Sequence, residues 1–70
     1  MTQALDERLK HGFGRLLRQH RRDAGLTQDD LGQRAGYYTS LISKLGRGHR
    51  PPTTAVAVDL AGALQLKVQE

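Results

Sequence analysis

The chain has 70 residues, a formal net charge of +4 and no cysteine, with a sequence pI of about 10.1. This length sets one small domain, which buries only ~60% of the surface its unfolded form exposes. The missing cysteines exclude a disulfide staple and a thiolate metal site, and no stretch reads as a membrane span or a signal peptide. A small basic protein of a reducing cytoplasm is expected, with the electrostatic footprint of a nucleic-acid binder.

Residues 1–12 predict a flexible or partly helical arm. Ala4, Leu5 and Leu9 suit a helix. Gly12 and Gly14 oppose one, at about 1 kcal/mol each relative to alanine. The first scaffold helix is expected over residues 13–24, with Phe13, Leu17 and Ala24 facing the core, Leu16 on the flank and Gly25 as the stop. His20 reads as a partly buried imidazole. Arg8, Lys10, Arg15, Arg18, Arg21 and Arg22 lie in a segment free of acids. Alone, such a run is equally well a solvated helix face.

Residues 25–48, GLTQDDLGQRAGYYTSLISKLGRG, read as two short helices around a tight turn. Thr27 and Asp30 have capping-box spacing, and Leu26 and Leu31 can close a hydrophobic staple over the cap. Asp29 and Asp30 suit the positive end of the helix dipole. Leu31 and Ala35 continue the apolar stripe, and Gly36 stops the helix in a left-handed conformation. The second helix is expected at about residues 38–45. Leu41, Ile42 and Leu45 form its apolar side, and Thr39, Ser40, Ser43 and Lys44 its polar side. Short hydroxyls and one long cation suit base edges and phosphates. Two helices around a glycine-containing turn, with a polar outer face on the second, describe a helix-turn-helix.

His49, Arg50, Pro51 and Pro52 predict a loop. Lys44, Arg47 and Arg50 form a second basic cluster beside it. Thr53 suits the N-cap of a fourth helix to about Leu64, with Val56, Leu60 and Leu64 at helical spacing beside Ala57 and Ala63. That helix is expected to close the core against the first. Residues 67–70 form a C-terminal end, read as truncated or as the start of a vestigial fifth helix.

The tract resembles the phage-repressor and Cro-like helix-turn-helix family, the xenobiotic-response-element family of bacterial regulators. The matching residues are Gly25-Leu26-Thr27-Gln28, Leu31, Ala35-Gly36, Ile42-Ser43-Lys44-Leu45, Arg47-Gly48 and Pro51-Pro52-Thr53. The similarity covers residues 13–66. It implies an all-α, compact four- to five-helix DNA-binding domain that regulates transcription from double-stranded DNA. It implies a homodimer on a two-fold-related operator. The DNA-binding set it implies is Thr27, Gln28, Tyr38, Thr39, Ser40, Ser43, Lys44, Arg47, His49 and Arg50. Gln28 would touch a phosphate and brace the recognition helix. Relatives commonly carry a glutamate at the position of Gly46, paired with an arginine matching Arg21, so Arg21 is expected to turn to solvent, to Asp59 or Glu70, or to a phosphate.

No cofactor, metal or catalytic activity is expected. His11, His20 and His49 lack ligand spacing, and no nucleophile stands beside an evident base. Tyr37 reads as a core residue with its hydroxyl at the surface. Tyr38, a poor cap, is as much structural as DNA-facing. Two other readings stand: an antitoxin-like or adaptor module that binds protein through the same surface, and the N-terminal targeting domain of a larger nucleic-acid enzyme.

Overall fold

A computed structural model describes residues 2–65, with side chains from residue 7 to residue 65. The expectations for residues 66–70 lie outside the described part. Four helices follow in order: α1 (Thr2–Asp23), α2 (Gln28–Ala35), α3 (Thr39–Gly46) and α4 (Thr54–Ala63). The expected all-α architecture is what the described residues form.

The core is small and aliphatic. Leu17, Leu31, Ile42, Leu45 and Leu60 are buried, so each helix contributes at least one. Phe13, Leu26, Ala35, Tyr37, Leu41, Val56, Ala63 and Leu64 pack around them half-buried. Fully burying one such leucine contributes roughly 1.5–3 kcal/mol. Five therefore form a sufficient but thin anchor for a chain of this length.

Local signals account for most helix ends. Thr27 accepts from the Asp30 amide at 3.0 Å, and the Asp30 carboxylate accepts from the Thr27 amide at 3.0 Å. That is the predicted capping box. Gly36 closes α2 at φ 81°, in the left-handed region open to glycine. Thr53 caps α4, its hydroxyl accepting from the Val56 amide at 3.1 Å. Tyr38 is the N-cap residue of α3 and makes no side-chain cap bond, so α3 starts at Thr39, one residue later than expected.

Three expectations are corrected. First, α1 begins at Thr2 rather than Phe13 and runs through Gly12 and Gly14. Packing overrides the local propensity penalty. A methyl group on Gly14 would lie 2.7 Å from the Leu45 carbonyl oxygen and 2.8 Å from that of Gly46. The bare glycine lets α1 cross the end of α3 at backbone contact. Second, Ala24 follows the end of α1 and is exposed, as is Leu16. Third, α4 meets α1 only through the shared core, where Leu60 joins Leu17, rather than closing on it along its length. It packs chiefly on α2. Between α1 and α4 lies a shallow, mostly apolar groove of about 190 Å³, lined among others by Phe13, Leu16, Ala57 and Leu64. His20 is half-buried on its wall.

Candidate nucleic-acid interface

Two eight-residue helices carry the site. Neither is long enough to persist alone in water, where isolated helices under ~12–15 residues are marginal. Their geometry comes from the scaffold. Ile42 and Leu45 anchor the inner side of α3 in the core. That leaves Ser40, Lys44 and Arg47 exposed, with Thr39 and Ser43 half-buried on the flank of the same polar face.

The C-terminal end of α3 is held by α1. Arg18 donates from Nη1 to the Gly46 carbonyl. A guanidinium there satisfies an otherwise open carbonyl and complements the negative end of the helix dipole. Gly14 sits against the same turn, and His11 lies over Gly48, where φ is 74°. Gly48, not Gly46, is thus the left-handed stop after α3, and Gly46 is the last helical residue.

The expected fate of Arg21 is corrected. It is neither free nor paired with Asp59. It donates from Nη1 to the Leu26 carbonyl at 2.7 Å and so ties the end of α1 to the entry of α2. Arg18 is the arginine whose Cγ faces Gly46, 3.6 Å from where a Cβ would stand. Two members of the N-terminal basic run therefore satisfy backbone carbonyls.

Side-chain bonds connect the two motif helices and the turn. Thr39 donates its hydroxyl to Asp29 Oδ1 at 2.7 Å. Gln33 Nε2 donates to Asp29 Oδ2 at 3.3 Å. Ser43 Oγ accepts from Arg47 Nη2 at 2.6 Å and Nε at 3.1 Å. Tyr37 packs on the core and donates its hydroxyl to Asp59 of α4. That bond to an anion favours the protonated phenol and raises its pKa above the ordinary value of 10.0. The Thr27 amide, then its hydroxyl, lowers the pKa of Asp30.

The expected site residues fall into three groups. Thr39, Ser40, Ser43, Lys44 and Arg47 share the outer side of α3 and its end. Thr27, exposed, and Gln28, half-buried, sit at the start of α2. His49 and Arg50 are exposed in the loop after Gly48, and Tyr38 is 87% exposed before α3. The Thr27 hydroxyl oxygen accepts the Asp30 amide in its cap, which fixes the side chain at the start of α2. Among the described residues no His, Cys, Asp and Glu group is placed to hold a metal ion.

The spacing of α2 and α3 around Gly36, with a polar outer face on α3, is a helix-turn-helix. A family model described as a helix-turn-helix domain matches residues 13–70. The chain belongs to this helix-turn-helix family. The expected family membership is thereby borne out. Relatives of this helix-turn-helix chain carry the same description. An uncharacterized HTH-type transcriptional regulator of Sinorhizobium fredii, y4dJ, is 43% identical over 44 residues, covering 63% of this chain and 57% of its own length. One of Methanothermobacter thermautotrophicus is 39% identical over 49 residues, covering 70% of this chain and 71% of its own. YazB of Bacillus subtilis is 31% identical over 58 residues, covering 83% of this chain and 84% of its own. The match thus spans little more than half the length of the first of them.

Three residues that shape this helix-turn-helix were missed as site residues by sequence reading. Arg18 was read only as part of a basic run, Gly14 only as a weak helix former, and Asp29 only as a dipole partner. Asp29 carried one usable signal, its place in the first turn of α2 ahead of a second helix that opens with a threonine.

Proposed function

We infer that the domain binds double-stranded DNA through α3 in the major groove and so regulates transcription. The observation that carries this is the outer side of α3, where Ser40, Lys44 and Arg47 are exposed together. A two-turn helix with short hydroxyls and cations fits the width of the groove and its acceptor-rich edge. The family descriptions support the reading, as does the +4 charge.

In this reading Lys44 and Ser40 face bases, with Thr39 and Ser43 beside them. Gln28, at the amide-rich start of α2, lies against a phosphate. Arg47, His49 and Arg50 follow the backbone, with Tyr38 at the edge. The active form is a homodimer on half-sites about one helical turn, ~10 base pairs, apart. The chain acts as a binding domain in the cytoplasm, without enzymatic activity of its own. Among the described residues no helix is long and apolar enough to cross a membrane.

A salt titration with a selected duplex tests the assignment. Each phosphate neutralised should contribute about −0.9 to the slope of log K against log salt. Lys44→Ala should relax preference at one or two base positions, at about 1–3 kcal/mol, whereas Arg50→Ala should weaken all sequences alike. Affinity indifferent to salt, or an altered motif from Arg50→Ala with none from Lys44→Ala, refutes the roles.

A further inference from the structure

The bond between Thr39 and Asp29 has a fixed direction. A carboxylate offers acceptors only, so the hydrogen comes from the threonine. Asp29 is itself braced, because its second oxygen accepts from Gln33 one turn further along α2. The 2.7 Å bond from Thr39 Oγ1 therefore points back into the protein. A threonine hydroxyl has one hydrogen and two lone pairs. With the hydrogen engaged, only lone pairs remain for anything outside. Ser43, one turn later, is set in the opposite sense: it accepts from Arg47 and keeps its hydrogen to give.

We propose that Asp29 presets Thr39 as an acceptor-only reader, so that the base facing Thr39 is adenine or cytosine and not guanine or thymine. This rests on the reading of α3 as the helix in the major groove. There, adenine presents its N6 amino group and cytosine its N4 amino group, whereas guanine presents O6 and thymine O4. Amino hydrogens meet the Thr39 lone pairs. A keto oxygen at the same place opposes lone pair to lone pair and leaves both acceptors unpaired. The Asp29 charge behind the hydroxyl adds repulsion against that oxygen. A threonine without Asp29 could turn its hydroxyl and serve either class, so the selectivity resides in the pair. Asp29 touches no base in this arrangement; it is a positioning residue.

The test is selection of duplex sites from a randomised pool, run with the wild-type chain, Thr39→Val, Thr39→Ser and Asp29→Ala. Thermal melting establishes that each is folded at the assay temperature. Thr39→Val keeps the branched shape and removes the hydroxyl, so the position that loses its preference is the one Thr39 faces. Every base pair holds one amino and one keto base, so the expected signature is adenine and cytosine both accepted on the same strand there, with guanine and thymine rejected on it. Thr39→Ser should retain that pattern. Asp29→Ala should admit guanine and thymine at that position, losing discrimination on the order of tenfold. Affinity for the original site should change less, because a negative charge beside the phosphates is also lost.

A wild-type position that accepts an amino and a keto base alike on the same strand, such as both purines or both pyrimidines, overturns the proposal. A selected duplex that loses no affinity when the amino group at that position is removed, with purine in place of adenine or 2-pyrimidinone in place of cytosine, overturns it too. So does a motif that Thr39→Val leaves unchanged, or an amino preference that survives in Asp29→Ala. Should Asp29→Ala not fold, removing that exocyclic amino group from the selected duplex still decides, because it should weaken binding by the wild type and leave Thr39→Val unchanged. A pool that yields no common sequence from the wild-type chain overturns the DNA-reading assignment itself, and this inference with it.

Discussion

Replacing Gly14 by alanine adds one methyl group where α1 crosses α3. Helix propensity alone favours the change by about 1 kcal/mol. The packing opposes it. The new carbon would meet two carbonyl oxygens at 2.7 and 2.8 Å, where ordinary contact begins at 3.4 Å, so the helices must separate by roughly 0.7 Å. Both oxygens belong to backbone, and no side-chain rotation relieves the contact. Overpacking of this kind costs about 1–3 kcal/mol, and the shift also strains the Arg18 bond to Gly46. The net expectation is a loss of about 0–2 kcal/mol, to which the strained Arg18 bond adds. For a domain of this size that lowers the melting temperature by roughly 4–8 °C per kcal/mol. Gly12 supplies the control on the same helix. A methyl there meets nothing within 4 Å, so Gly12→Ala should gain up to about 1 kcal/mol from propensity alone. Thermal and urea denaturation followed by circular dichroism measures both variants. A Gly14→Ala protein that melts at or above the wild type, alongside Gly12→Ala, would refute the backbone contact between α1 and α3.

Gly46 has helical dihedrals, and its added Cβ would touch only the Arg18 Cγ, at 3.6 Å. Gly46→Glu should gain up to about 1 kcal/mol from propensity and ~0–1 from the pair with Arg18, less ~0.3–1 for a carboxylate at the negative helix end. A small rise in melting temperature with weaker DNA binding is expected. The pairing part should vanish in an Arg18→Gln background and persist in Arg21→Gln; the reverse pattern would reinstate Arg21 as the partner. The capping box predicts an acid limb of stability. The folded pKa of Asp30 lies below its ordinary 3.8, through hydrogen bonds from Thr27. Its contribution is therefore present above the unfolded pKa and is lost as pH falls through the folded one. Melting temperature against pH should fall less steeply below pH ~4 in Asp30→Asn, and an unchanged limb would contradict the assignment.

The elements legible in the sequence were those whose cause is local. Thr27 with Asp30, Gly36, and Thr53 with Val56 each act within four residues, and residue type there implies geometry. The aliphatic anchors Leu31, Ile42, Leu45 and Leu60 showed in the helical period for the same reason. The illegible parts couple distant residues. Arg18 and Gly46 are 28 apart, and Asp29 and Thr39 are 10 apart. Nothing in a basic run tells which arginine will turn inward to a carbonyl. The length of α1 was misjudged because Gly14 is unfavourable for an isolated helix and required once a second helix lies across it.

The division of α3 into an anchored side and an outward side bears on how such a domain can change over generations. The side chains of Ser40 and Lys44 are exposed and, among the described residues, make no hydrogen bond that holds the fold. In the proposed reading of α3, lineages can exchange them one at a time, altering the operator with little penalty in folding. Position 39 is under a different constraint. Its hydroxyl is bonded to Asp29, so a residue without a hydroxyl there leaves that carboxylate oxygen to solvent, and a change at 29 frees the hydroxyl. These two positions should drift together across descendants, whereas their neighbours on the same face drift alone.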